Sequence, residues 1–260
     1  MRDVQGERDN RNIPIDRVGV SGVSYPLAVM DPSENVQHVT GAVRMSVSLP
    51  KDFRGTHMSR FIEVLERCRG KMTLGNLEEI VDALKKELAA PEAEVAIAFP
   101  YFVRRTAPVS GAESYTRIDV EFWAMKASRF DFVLKVAVPV QTLCPCSREI
   151  SEFGAHNQRA KVEIEIRMRR LVWIEDLVSV AEQSASAPVL TLLKREDEKA
   201  LTEKAFLNPR FVEDVVREVS LRLDRDERIK WYRVSVVSDE SIHNHQAFAC
   251  LERFVSCPAR

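Results

Sequence analysis

One pattern constrains this chain more than any other: strand, strand, helix, helix, strand, strand, and then the same order again. Residues 17–30 and 36–49 alternate apolar and polar side chains, as in Val43, Met45, Val47 and Leu49, around the turn-forming DPSEN, which predicts a strand pair. Two amphipathic helices follow. Residues 57–69 place Phe61, Val64, Leu65 and Cys68 on one face, and 74–89 do the same with Leu77, Ile80, Val81, Leu84 and Leu88. Gly70 stands where a helix C-terminal glycine is expected. Residues 94–105 and 114–126 read as two further strands. From Phe130 the grammar restarts. Residues 130–142 and 161–169 read as strands and 173–183 and 209–223 as helices, the second opened by Asn208 as N-cap and Pro209 at the first helical position. Strands over 231–237 and 247–254 close the series. The expectation is an α+β protein of two units in tandem, 15–128 and 129–260, with no matching residue repeat beyond the pattern. The first 14 residues have almost nothing to bury and read as a mobile arm.

Charge and cysteine usage narrow the function classes. The 38 basic and 39 acidic residues nearly cancel, so no chain-wide positive field exists to hold nucleic acid or an anionic membrane, and any phosphate binding has to be local. No stretch of eighteen apolar residues occurs, and the N-terminal MRDVQGERDNRNIPIDR lacks a signal-like apolar run, so a soluble, cytoplasmic protein is expected. Five cysteines (Cys68, Cys144, Cys146, Cys250, Cys257) are an odd, sparse set, which predicts reduced thiols. Thiolate is then available as a ligand or nucleophile.

Polar residues concentrate in a few places. LCPCSREI at 143–150, followed by GAHNQR at 154–159, puts a thiol and an imidazole either side of a short loop, a donor pair that suits Zn²⁺ and similar ions. A C-x-C alone is weak, and either cysteine can be inert. SDESIHNH at 238–245 adds His243 and His245 between two predicted strands, where a solvated turn is the ordinary reading. The run LLKREDEK at 192–199 and Glu213 ahead of Arg217 read, on their own, as an exposed charged face and an i,i+4 surface pair. RGTHMSR at 54–60 reads as a helix start, with Thr56 as a possible cap and amides placed to receive phosphate.

Taken together, CPCSREIS, GAHNQR, LLKREDEKALTEKAF, NPRFVEDVVRE, SDESIHNHQAFA, GTHMSRF and the opening DVQGERDNRNIPIDRVGV resemble the bacterial type IB GTP cyclohydrolase family over nearly the whole chain. That resemblance implies tandem tunnelling-fold units, each an antiparallel four-stranded sheet with two helices on one face. It also implies a homotetramer with active sites at subunit interfaces. The implied reaction converts GTP and water to 7,8-dihydroneopterin triphosphate and formate, the first step of tetrahydrofolate biosynthesis, with a divalent Zn, Mn or Fe ion. Carried onto this sequence, it makes Cys144 the functional thiol, with Cys146 as the alternative since both match the motif, and His156 a metal partner. Glu198, Glu240 and His243 complete or border the site, and Glu213 matches the purine anchor. His57 matches a motif without an assigned task.

These roles are chemically coherent. An ion held by thiolate, imidazole and carboxylate brings the pKa of bound water toward neutrality, and the hydroxide so supplied would attack guanine C8. An ionised Glu213 can accept from guanine N1–H and the exocyclic amine together, an arrangement adenine does not offer. His243 or Glu240 can move protons as N9 leaves. Arg159 and Lys161, with Lys199 and the helix start near Arg60, are candidates for the triphosphate. Two alternatives are a related enzyme of the same fold that releases a cyclic phosphate, and a purine- or pterin-binding protein without turnover.

Overall fold

The structure, a computed structural model, describes residues 4–68 and 76–255; Gly70, the expected helix ends at Arg69 and Leu74, and Cys257 lie outside them. Among the described residues are nine strands and six helices: β1 (Ile15–Asp31), β2 (Asn35–Leu49), α1 (Met58–Arg67), α2 (Leu77–Glu87), β3 (Ala93–Thr106), β4 (Glu113–Lys126), β5 (Phe130–Leu143), α3 (Pro145–Ile150), β6 (Asn157–Met168), α4 (Ile174–Ser184), β7 (Ala187–Pro188), α5 (Arg195–Leu207), α6 (Val212–Leu223), β8 (Ile229–Asp239) and β9 (Gln246–Phe254). Every pairing with a described register is antiparallel. By its contacts the chain forms two compact units, Met1–Pro100 with Glu121–Leu134, and Tyr101–Val120 with Lys135–Arg260. Strands β3, β4 and β5 give residues to both.

In the first unit β1 and β2 form a long hairpin in register from Ile15↔Leu49 to Asp31↔Asn35. Asp31 builds its turn: Oδ1 accepts from the Ser33 and Glu34 amides at 2.7 and 2.9 Å. The register shifts between Val20 and Val23, where Gly22 adopts φ +70, a conformation a side chain would resist. Inward-facing Tyr25, Leu27 and Val29 of β1 and Val43, Met45, Val47 and Leu49 of β2 are buried. They share the core with Phe61, Val64 and Leu65 of α1 and Leu77, Ile80, Val81 and Leu84 of α2, at the i, i+3, i+4 spacing the sequence shows. Each such aliphatic side chain contributes about 1.5–3 kcal/mol on burial. The N-cap of α1 is His57, without a side-chain cap hydrogen bond, whereas Thr56, the expected cap, is buried. Residues 5–9, expected to have nothing to bury, are held through backbone: Gly55 N donates to Gln5 O, Arg54 N to Glu7 O and Asp9 N to Asp52 O at 3.0–3.2 Å. Hydropathy patterns do not register contacts of that kind.

In the second unit β6, β8 and β9 lie side by side in register. Helix α6 packs on β8 and β9 and against α4. Their buried faces are Leu177, Val178 and Ala181 on α4 and Val215, Val216 and Val219 on α6. Helix α6 begins at Val212, its entry held by Phe211 N donating to Asp214 Oδ2 at 3.0 Å. The expected Asn208 and Pro209 start is corrected: Asn208 closes α5, donating its amide to Lys204 O and Ala205 O, and Pro209 lies in the connection. Helix α5 lies where a charged surface run was expected, because its apolar stripe is narrow, Leu201 and Ala205 only. Those two pack with Leu143 and Ala187. Asp197 anchors the start of α5. Its carboxylate accepts from Val109 N, Ser110 N and Lys194 N at 2.9 Å and from Ser110 Oγ at 2.5 Å. Burial works to raise its pKa, but these donors prevail and hold it well below the usual carboxylate range.

Candidate functional site

Three strands of the second unit carry apolar inward positions that end in a polar one. On β5 the series is Val136, Val138, Val140, then Thr142; on β6, read backward, Ile164, Val162, Ala160, then Gln158; on β8, Val234, Val236, then Ser238. Ala160 stands opposite Ser238. All three polar side chains are buried. They satisfy one another: Thr142 Oγ1 and Ser238 Oγ are 3.2 Å apart, and Gln158 Nε2 donates to Thr142 Oγ1 at 3.4 Å. These groups floor a cavity of about 520 Å³, in the range of small-molecule sites.

The chain leaving β5 and the chain entering β6 supply its thiol and imidazole. Cys144 is the N-cap of α3 with Pro145 at the first position, and Sγ accepts from Ser147 N at 3.4 Å. The loop is cross-tied by Cys144 N to His156 O at 3.1 Å and His156 N to Ser147 Oγ at 3.2 Å. His156 Nδ1 lies 2.9 Å from Gln158 Oε1 and 3.8 Å from Glu240 Oε2. Gln158 Nε2 donates to Glu240 Oε1 at 3.2 Å. On the turn after β8 the His243 ring stands edge-on to His156 at 6.1 Å between centroids and stacks on His245 at 5.1 Å. Glu213, in the first turn of α6, lines the same cavity with its side chain exposed. Arg217 pairs with Asp214 at 3.6 Å, not with Glu213 as a surface pair would have it.

The structure thus brings Cys144, His156, Glu213, Glu240 and His243 to one cavity. Glu198 and Arg159 line a second cavity of about 360 Å³, against Leu190, Leu193 and Leu201, with Gln158 on both walls. Arg159 and Lys161 alternate with Gln158 along β6 and face the other side of the strand; Lys161 lines neither cavity and lies 3.1 Å from Glu163. Cys146 is exposed, one residue into α3. His57 lines a separate small cavity in the first unit with Arg60 and Gln5. Sequence reasoning passed over Gln158, Thr142, Ser238 and Arg210 as site residues. The signal for the first three was present: each is a polar residue at an apolar place in a strand's alternation.

The donor types suit a divalent ion: a thiolate sulfur, an imidazole whose second nitrogen is already bonded, and a carboxylate. Among the described residues no three His, Cys, Asp or Glu side chains stand close enough to hold one together. The soft and hard donors are present along one cavity wall, and Glu198 is one cavity away.

Comparison with known proteins adds to this geometry. The family described as type I GTP cyclohydrolase folE2 matches residues 1–249. The chain is 57% identical over 253 residues to the GTP cyclohydrolase FolE2 of Kosmotoga olearia, covering 97% of this chain and 98% of that one. It is 51% identical over 253 residues to that of Geotalea uraniireducens, covering 97% and 93%. Among solved structures, uricase from Arthrobacter globiformis matches with a TM-score of 0.52 at 10% identity over 94% of each chain. Urate oxidase from Bacillus sp. TB-90 matches with a TM-score of 0.53 at 11% identity, covering 92% of this chain and 100% of that one. At such identity the likeness shows a shared fold alone.

Proposed function

The chain belongs to the type I GTP cyclohydrolase folE2 family, and from that premise we propose that it hydrolyses the guanine imidazole ring of GTP, yielding 7,8-dihydroneopterin triphosphate and formate at the start of tetrahydrofolate biosynthesis. The observation that carries this reading is the single cavity joining Cys144, His156, Glu240 and His243 with Glu213.

In this reading Glu213 reaches in from the start of α6 and accepts two hydrogen bonds from guanine N1–H and the exocyclic amine. Cys144 and His156 would hold a divalent Zn, Mn or Fe ion, with Glu198 and His243 as further donors. The ion, when bound, makes water a competent nucleophile near neutral pH. Glu240 and His243 stand beside His156 to take a proton from the attacking water and return one to N9 as the C8–N9 bond breaks. A second water releases C8 as formate, and the freed amine condenses with the rearranged ribose carbonyl to close the pterin ring.

We place Arg159 and Lys161 at the triphosphate, from the face of β6 away from the cavity floor. That placement suits a site shared with a second copy, in a homotetramer. Two features support assembly: β9 ends the strand order with Phe248 and Phe254 exposed, and Ile150 and Phe153 beside the cavity loop are 84% and 95% exposed. In each sequence half helices follow the first two strands, α1 and α2 in the first and α4, α5 and α6 in the second, which supports tandem tunnelling-fold units at 15–128 and 129–260. No helix among the described residues is long and apolar enough to cross a membrane, which agrees with a cytoplasmic enzyme. Purified protein supplied with GTP and Mn²⁺ or Zn²⁺ is expected to release one formate per GTP while the purine absorbance is lost. GTP binding without either change would overturn the catalytic reading.

A further inference from the structure

Gln158 occupies a place where an apolar residue would be the ordinary choice. It is buried at the end of the inward series Ile164, Val162, Ala160, and no part of the reaction above uses it. An unsatisfied amide there would cost about 1–3 kcal/mol, yet every polar atom of the group is engaged. Nε2 donates to Glu240 Oε1 at 3.2 Å and to Thr142 Oγ1 at 3.4 Å. Oε1 faces His156 Nδ1 at 2.9 Å and accepts from Ser241 Oγ at 3.5 Å.

These partners determine which way round the amide lies. An ionised Glu240 can only accept, so the NH₂ end turns toward it and the carbonyl end toward His156. A carbonyl oxygen can only accept in turn, so Nδ1 of His156 is the ring nitrogen that carries hydrogen. The neutral ring then keeps its lone pair on Nε2, and the ring lines the cavity. With the usual tautomeric freedom removed, the imidazole is a ready donor to a cation.

We propose that Gln158 is a positioning residue that holds His156 as the Nδ1–H tautomer with Nε2 bare, and that tethers Glu240 next to the same ring through its other end. The relay runs carboxylate, amide, imidazole, so one side chain sets both the ligand nitrogen and the proton-transfer group. This rests on the reading of His156 as a metal ligand; the tautomer itself does not.

The test uses full-length, metal-free protein with ¹⁵N-labelled histidine. The His156 ring signals, identified by their loss in His156→Ala, are expected to show a protonated Nδ1 and an unprotonated Nε2. Hydrogen on Nε2, or an averaged ring, would overturn the proposal and needs no variant that might fold poorly. Gln158→Met is expected to give a mixed tautomer and a 10- to 100-fold weaker Zn²⁺ affinity, roughly the effect of losing an outer partner of a ligand, measured by competition with a chromophoric chelator. Gln158→Glu, which keeps an acceptor toward His156 but loses the donor to Glu240, is expected to restore the tautomer. A Met variant with the wild-type tautomer and affinity would overturn the proposal. Unchanged Zn²⁺ affinity in His156→Ala would instead remove His156 from the metal site, whatever its tautomer.

Discussion

In the first unit the inward face of β2 stays apolar to the strand's end, Val43, Met45, Val47 and Leu49, and the buried Asp31 at the end of β1 is spent on its own turn. In the second, three strands end their inward series in Thr142, Gln158 and Ser238, whose hydrogen bonds run to other strands and to Glu240. Buried polar side chains add little net stability even when paired, because folding trades water partners for protein ones. An apolar end would have served the fold as well. The difference teaches where chemistry was given precedence over packing, and it can be tested from both sides.

The sharpest attack on the comparison is at the thiol. Cys144→Ala is expected to lower formate release by on the order of 10³-fold or more, since a cation's stabilisation of developing charge amounts to several kcal/mol. Its thermal midpoint should stay close to wild type, because Cys144 is only partly buried and makes one weak side-chain contact. Retained activity would transfer the role to Cys146.

A smaller loss separates substrate recognition from the metal site within the same cavity. Glu213→Ala removes a carboxylate that accepts charge-assisted hydrogen bonds, so kcat/KM for GTP should fall about 10- to 100-fold. Metal content, read by elemental analysis, should not change. Equal loss of both would break the assignment of Glu213 to the purine.

Asp197 shows that a buried polar group in the second unit can also be structural. Its carboxyl is held well below the usual range by Ser110, Lys194 and Val109. A depressed folded-state pKa contributes stability in full above the unfolded value, about 3.9, and loses it as pH falls toward the folded one. Asp197→Asn is therefore expected to be less stable at pH 7 and to lose less stability than wild type on going below about pH 4, followed by denaturant midpoints. An unchanged acid slope would mean the carboxylate does not anchor α5.

Most elements of this fold could be read from periodicity alone. Phe61, Val64 and Leu65, or Val215, Val216 and Val219, repeat at helical spacing because one face of each helix is buried. Helix α5 escaped because two small-to-medium apolar residues, Leu201 and Ala205, are all it needs when Asp197 ties its start. The strand-end alternation marked Gln158, yet what it does depends on Glu240, 82 positions later, and no local pattern carries that distance. Cys144, His156 and His243 were legible as residue types in suggestive loops. Their convergence was implied by the resemblance and by no local pattern, because it is made by β5, β6 and β8 lying side by side. Arg159 and Lys161 alternate with Gln158 onto the other face of β6, a placement set by strand parity that closeness to the motif in sequence does not show.

The gentlest test bears on the floor itself. In Thr142→Val combined with Ser238→Ala both partners of one buried hydrogen bond become apolar, so neither is left stranded. Valine matches threonine in shape, and Gln158 Nε2 keeps its stronger contact to Glu240. Stability should move by less than about 1 kcal/mol in either direction in urea titration, since replacing a matched polar pair is close to neutral. The single variant Thr142→Val leaves Ser238 Oγ without that partner and should be the less stable of the two. If the double variant instead lost several kcal/mol, the polar strand ends of the second unit would be part of its stabilising core, and the contrast with the first unit would vanish.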